Sequence, residues 1–256
     1  MKENRAIIRY ENGGSQDLDD VLVNEYALDI YINNQSFARL LCSPQDLEYL
    51  CLGYLLGESQ ISSLSDVLSI DIDVDCGKAD IVLHTTKRSI DKPTYLTTGL
   101  GPQKSITIAA LSEKQIPLMD GLSLKAEQIC QLADKFQKHS AVFAETGGVH
   151  SCALSDGEQI IAFFEDIGRH NALDKVVGFA LKRRLELGNY MIITSGRIPG
   201  YMAYKCYRAG LPFIVSRSAV TSAAVDFAQK TGLTLIGFAR NSRFNIYSGS
   251  ARVIIK

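Results

Sequence analysis

No stretch of this 256-residue sequence approaches the roughly 18 consecutive apolar residues that a membrane-crossing helix needs. The opening residues, MKENRAIIRY, place charges on both sides of a very short apolar stretch and so lack a signal peptide's hydrophobic segment. Neither sign of charge is in excess: 27 Lys and Arg against 28 Asp and Glu leave −1, which gives no basis for general affinity to nucleic acid or anionic lipid. The six cysteines, at 42, 51, 76, 130, 152 and 206, contain no Cys-x-x-Cys, so a disulfide framework is not expected and reduced thiols in a cytoplasm fit better. Also missing are a P-loop, a Gly-x-Gly-x-x-Gly and a nucleophile elbow. The His-x-Glu and Pro-Cys-x-x-Cys of zinc deaminases are absent as well. With 46% hydrophobic and 21% charged residues, what remains is a globular chain whose anion sites must come from local arrangement.

The first half reads as paired strands with helices. Residues 26–32 and 35–41 are strand-like and meet at Asn33-Asn34, a tight-turn signal. "SPQDLEYLCLGYLLG" then predicts a helix capped by Ser43, with Pro44 at its first position, Asp46 completing a capping-box-like spacing and Gly57 just past its end. Cys51 falls in that helix's apolar stripe, where core packing is its commoner role. "IDIDVD" (70–75) alternates strictly, and "ADIVLHT" after the Cys76-Gly77-Lys78 turn makes a hairpin with it. Its acidic face can in principle hold a metal with His84, but alternation of this kind usually marks a solvated face. "YLTTGLGPQKSI" (95–106) is a bend, because glycine supplies positive φ and proline cannot continue a strand or helix.

The second half changes rhythm. A helix is expected over 124–137, and strands on either side of Ser155-Asp156-Gly157. A helix then runs from Asn171 to Leu187, ended by Gly188, followed by strand 190–194, helix 199–209, strand 211–215, helix 219–230 and strand 233–238. Alternation of this kind implies a largely parallel sheet covered on both faces, with a boundary between the halves near 115–123: residues 1–120 form a smaller α+β part and 121–256 an α/β part.

Arginines follow successive strands: Arg169 in "EDIGRHN", Arg197 in "SGRIPG", Arg217 in "SRSAVTS", and Arg240 and Arg243 in "ARNSRF". In a mainly parallel sheet the last three turns share the carboxyl edge, where open α/β folds bind ligands. Two of those turns open helices, whose free N–H groups suit phosphate, and Ser195, Ser216 and Ser218 add donors. The planar guanidinium matches phosphate oxygens in pairs. The alternative is that each arginine is surface decoration or is ion-paired to Glu165 or Asp166. "HSC" (150–152) offers two ligands of the kind zinc takes, without the rest of a zinc set. His170, at a helix start, suits acid–base work or a local cap equally. Cys206 falls inside a helix and is expected to be packed.

"ETGGVHSCAL", "EDIGRHNALDKVVG", "SGRIPGYMAYKCYRAGLPFIVSRSAVTSAAVDFA" and "GFARNSRFNIYSG" together resemble the formate dehydrogenase accessory sulfurtransferases, the FdhD/NarQ family. The likeness covers nearly all of the second half and is fainter in the first, where "LLCSPQDLEYLCLGYLLGE" is similar to an early helix. It implies a C-terminal three-layer α/β/α domain of cytidine-deaminase-like fold that has lost the zinc ligands, joined to the smaller N-terminal part. It also implies a cytoplasmic homodimer that binds the bis(molybdopterin guanine dinucleotide) form of the molybdenum cofactor as cargo, with a GDP-like nucleotide as mimic. A cysteine desulfurase would be the sulfur source and a formate dehydrogenase apoenzyme the recipient. The segment that contacts the cofactor falls on Phe238, Ala239, Arg240, Asn241, Ser242 and Arg243, beside Arg217, Ser218, Arg197, Arg169 and His170.

Family members carry a Cys-x-x-Cys in the loop that matches residues 95–106, and the two positions fall near Thr98 and Gly101. A hydroxyl neither forms a persulfide nor ionises near neutral pH, so this loop lacks its nucleophile. Cys76, in a polar turn where Lys78 would stabilise a thiolate, is the first substitute, and Cys152 the second. Three readings therefore stand. One is a cofactor-binding accessory protein without sulfur transfer of its own, and another is a sulfurtransferase with a displaced thiol. The third is a nucleotide-binding regulator or enzyme using His170.

Overall fold

The computed structural model describes residues 2–85, 94–96, 118 and 121–255. β1 (Lys2–Glu11) and β2 (Gly14–Val23) pair as a separate antiparallel ribbon, exposed over most of its length. β3 (Tyr26–Ile32) and β4 (Gln35–Cys42) form the expected hairpin, and Asn33 (φ 49°) and Asn34 (φ 65°) supply the two left-handed residues of a primed turn. α1 (Leu47–Gly57) follows, then the hairpin of β5 (Val67–Asp73) and β6 (Lys78–Leu83), and β7 (Thr94–Leu96). These strands make a five-stranded sheet in the order β5-β6-β3-β4-β7.

In the second half come β8 (Leu124–Lys125), α2 (Ala126–His139), α3 (Ala141–Thr146), β9 (His150–Ser155), β10 (Ile160–Asp166) and α4 (Arg169–Lys182). β11 (Met191–Thr194), α5 (Gly200–Arg208), β12 (Phe213–Ser216), α6 (Ser222–Thr231), β13 (Thr234–Arg240), β14 (Arg243–Ser248) and β15 (Val253–Ile254) complete the order. The main sheet runs β10-β9-β11-β12-β13-β14, and β8 pairs with β15. Because β9 is antiparallel to both β10 and β11, strands β10, β11, β12 and β13 all point the same way. Met191, Ile193, Phe213 and Val215 face α2, whereas Ile192 and Ile214 face α4, α5 and α6, so the sheet is the middle of three layers.

The halves are not separately packed. One apolar cluster continues from Ile30 and Leu40 of the first sheet through α1 to Val176 of α4 and Met202 of α5. α1 is buried on every side rather than along a stripe. It lies backbone to backbone on α4 through two glycines. A Cβ on Gly53 would overlap the Asp174 carbonyl, and one on Gly178 would overlap the carbonyl of Tyr49. The boundary expected at 120–121 falls beside residues 119–120, outside the described residues.

Several expected boundaries move, each for a local reason. α1 begins at Leu47 and not at Pro44, because Asp46 is left-handed (φ 55°) and Ser43 is engaged elsewhere. Gly57 is the last helical residue, where a side chain would press on Lys205, and Ser59 (φ 60°) takes the left-handed position after the helix. α4 ends at Lys182, not near Gly188, because Arg184 adopts φ 55° and closes it.

Candidate anion-binding edge

Sheet direction decides which loops can meet. The carboxyl ends of β10, β11, β12 and β13 lie along one edge, together with the start of β9, since His150 pairs with Asp166 and Cys152 with Thr194. Backbone hydrogen bonds stitch the loops in series: Arg217 N–H donates to Thr194 O (3.1 Å), Ile198 N–H to Ala219 O (3.0 Å) and Phe238 N–H to Ser218 O (3.0 Å). Ser216 Oγ donates to Gly196 O at 2.7 Å and accepts from Ser218 N–H at 2.8 Å. The arginines therefore stand on connected backbone.

They gather as two pairs. Arg169 and Arg197 are near enough that Arg197, after burial, lowers the pKa of Arg169, and the Arg169 Nε lies out of water without an acceptor. A Cβ on Gly196 would stand 3.0 Å from the Arg169 Cβ and 3.5 Å from His150 Nδ1, so this glycine is what lets the loop close over them. Arg217 is lowered by burial and by neighbouring Arg240, while Asp134 acts the other way, and its guanidinium donates to Ala133 O at 3.2 Å.

Glu165 and Asp166 do not neutralise these arginines. Glu165 accepts from Ser140 Oγ (2.6 Å) and from the N–H groups of Val142 and Phe143 (both 3.3 Å), holding the start of α3. Asp166 is fully buried; it pairs with Lys175 Nζ at 2.7 Å and accepts from Ser43 N–H (3.0 Å), Gly168 N–H (2.9 Å) and Asn171 Nδ2 (2.9 Å). The expected ion-pairing alternative is thereby removed: both carboxylates are committed to structure.

Between β13 and β14, Asn241 (φ 53°) and Ser242 (φ 56°) form a primed turn, flanked by the cross-strand pair Arg240 and Arg243. Phe238 is also left-handed (φ 55°) at a bulge, a costly conformation for a bulky residue and one that bulges beside sites impose. Ala239 points into the core, so it presents only backbone at the edge. Ser242 and Arg243 border a 670 Å³ cavity shared with Cys130 and Asp134 of α2.

His170 is buried, with neither ring nitrogen bonded, and burial and then Lys205 push its pKa down to about 3. It is neutral at physiological pH and carries no proton to donate as an imidazolium, against the acid–base expectation. His150 is lowered as well, by burial and then by Arg169. His150 belongs to the edge, though nothing in its local sequence says so. Its place follows from β9 running against its neighbours.

The thiols fare differently from expectation. Cys76 is exposed in its turn, but Asp73 accepts its N–H at 2.9 Å and, acting first through a side-chain hydrogen bond, raises its pKa. Lys78 is drawn into a pair with Asp80 at 2.7 Å, and its lowering of the Cys76 pKa is outweighed by Asp73, so the anticipated lysine-stabilised thiolate is corrected to a thiol whose pKa is raised. Cys42 is pushed up to about 12 by burial and then Asp166, while Cys51, Cys152 and Cys206 are raised by complete burial. Cys130 is raised by burial and then Asp134. All six cysteines of the chain are thus described, and each is biased against the thiolate. Thr98 and Gly101 lie outside the described residues. β7 runs parallel to β4, with Leu96 opposite Leu40, and β4 leads directly to Ser43 on Asp166 at the edge. Among the described residues no three His, Cys, Asp or Glu gather closely enough to hold a metal, and no helix is long and apolar enough to cross a membrane.

Residues 23–254 match the model of the FdhD/NarQ family. The chain is 36% identical over 259 residues to a protein of Staphylococcus aureus named sulfur carrier protein FdhD, covering 98% of this chain and 96% of that one. A protein of Staphylococcus haemolyticus with the same name is equally similar, at 36% over 260 residues. Among solved structures, a candidate formate dehydrogenase accessory protein from Desulfotalea psychrophila shares the fold, with a TM-score of 0.82, 24% identity and 99% coverage of both chains.

Proposed function

Since the chain belongs to the FdhD/NarQ family, we propose that it serves formate dehydrogenase maturation as a binder of the pyrophosphate-bearing bis(molybdopterin guanine dinucleotide) cofactor, without a persulfide carried on its own cysteines. The observation that carries this reading is the edge: two guanidinium pairs on stitched loops whose nearest strand-end carboxylates are already spent. Cations that repel one another gain from a polyanion, most of all Arg169 and Arg197, since Asp134 partly offsets the charge beside Arg217, and a pyrophosphate offers the paired oxygens an arginine fork takes. Arg169 and Arg197, with the free N–H groups at the start of α4, would hold one phosphate group. Arg217, Arg240 and Arg243 would hold another, with the left-handed turn at Asn241-Ser242 presenting backbone.

Sulfur transfer depends on a thiolate, and the pKa directions of all six cysteines argue against one here. On this reading the cysteine desulfurase delivers sulfur to the cargo through another carrier, and the apoenzyme of a formate dehydrogenase receives the cargo from a homodimer of this chain in the cytoplasm. Calorimetry with GDP and inorganic pyrophosphate tests the binding. Arg217→Ala and Arg240→Ala should each weaken GDP by about 1–3 kcal/mol, the range for hydrogen bonds to a charged group. Unchanged affinity in both removes the edge as the site. Incubation with a cysteine desulfurase and labelled cysteine should leave no persulfide on this protein by mass spectrometry, and a persulfide lost on Cys76→Ser would reverse the sulfur half of the proposal.

A further inference from the structure

α4 and α5 both begin at the cationic edge, so at about 1.5 Å of rise per residue their ends lie about 20 Å and about 13 Å from it, over 14 and 9 residues. α1 runs antiparallel to α4, with Glu48 of its first turn paired to Lys182 at the end of α4, and the 62–65 loop that follows α1 lines a space against the ends of α4 and α5. The space between them measures 630 Å³ and is walled by Leu56, Leu181, Leu185 and Leu187. Two guanidiniums, Arg184 and Arg208, stand in this apolar wall.

Neither arginine is occupied in holding the fold. The helix-end carbonyls are closed by backbone: Leu185 N–H donates to Ala180 O (3.0 Å) and Arg184 N–H to Leu181 O (3.1 Å), while Leu211 N–H donates to Cys206 O (3.0 Å) and Gly210 N–H to Tyr207 O (2.9 Å). Among the described residues no carboxylate lies within ion-pairing distance of either guanidinium. The Nε of Arg208 is out of water with no acceptor, while the side chain is half-buried and that of Arg184 exposed, so both guanidinium forks remain open to an incoming anion.

We propose that this cavity is a binding site for a small organic acid, a carboxylate carried on an aliphatic body. The planar fork of an arginine takes a carboxylate in two parallel hydrogen bonds, and the leucine walls take the chain behind it. The volume falls in the range of small-molecule sites, which favour junctions between parts of a fold. A monoanion fits better than a phosphate. The loop's N–H groups at Ser62 and Ser63 already donate to Asp66 Oδ2, at 2.6 and 3.3 Å, and leave few further donors for a second charge. The occupant would touch Leu56 and the 62–65 loop from the first half and α4 and α5 from the second, clamping both.

Calorimetry and thermal unfolding of the full chain with octanoate, 1-octanol and acetate test this. Octanoate should bind saturably and raise the melting temperature, with octanol and acetate each at least tenfold weaker. Arg208→Met should weaken octanoate tenfold or more and leave pyrophosphate binding at the opposite edge unchanged, which separates this site from the proposed cofactor site. Ser65→Phe, an exposed position that plugs the cavity, should abolish octanoate binding in a folded protein. No saturable binding by the unaltered chain, equal binding of octanol, or undiminished binding by both variants overturns the proposal.

Discussion

Replacing Gly178 with alanine sets two effects of opposite sign against each other at the α1–α4 crossing. In an isolated helix the change is favourable by about 1 kcal/mol, because alanine loses less backbone freedom. Here the new Cβ would overlap the Tyr49 carbonyl oxygen and stand 2.8 Å from the Tyr49 Cα. Carbon atoms pack best at about 3.5–4.0 Å, so the helices must part by about 1 Å along a fully buried line. Overpacking costs about 1–3 kcal/mol where side chains can yield, and here the obstacle is backbone, which places the cost at the top of that range or above. The net loss should be about 2 kcal/mol or more. For a chain of this size that lowers the melting temperature by about 4–8 °C. Urea unfolding followed by circular dichroism gives the value, with an unchanged slope showing that stability alone has moved. The partner change, Gly53→Ala, should cost a similar amount, and the double variant less than the sum by at least about 0.5 kcal/mol, since helices already parted admit the second methyl. A melting temperature equal to or above that of the unaltered protein would refute the close-contact reasoning.

Lys175→Met leaves the buried Asp166 carboxylate without its cation and should cost about 3–5 kcal/mol in the same urea assay, while Lys175→Met with Asp166→Asn should recover part of it. His170 is held neutral in the fold but binds a proton near pH 6.5 when unfolded. Its contribution is therefore complete above about 6.5 and is lost as pH falls toward about 3, with a slope of about 1.4 kcal/mol per pH unit; His170→Gln should flatten that fall. His150 acts in the same direction, so some acid dependence should survive in the variant. Pyrophosphate should raise the melting temperature, and rising sodium chloride should diminish the gain, because Arg197, Arg240 and Arg243 of the edge are exposed and open to screening.

What could be read in advance followed from local chemistry. Asn33-Asn34 announced a hairpin because few residues tolerate two left-handed positions in a row, and the arginines after each strand were visible because a parallel sheet sends its turns to one edge. The start of α1 was not, since Ser43 looks like a cap and yet spends its N–H and hydroxyl on Asp166 and Ile167, more than 120 residues away. The β1–β2 ribbon shows no apolar period because solvent covers most of it. β14 hides behind a turn whose second left-handed residue is serine where glycine is usual. His150, the committed carboxylates and the raised Cys76 depend on which strands adjoin, and no spacing along the chain encodes that.

With α1 of the first half wedged against α4 by contacts that exclude even a methyl group, the described residues of the two halves move as one body. A large guest cannot be gripped by rocking one lobe onto another. Whatever accommodation it requires must come from the turns along the sheet margin, so arrival and departure should leave the helical interior as it was.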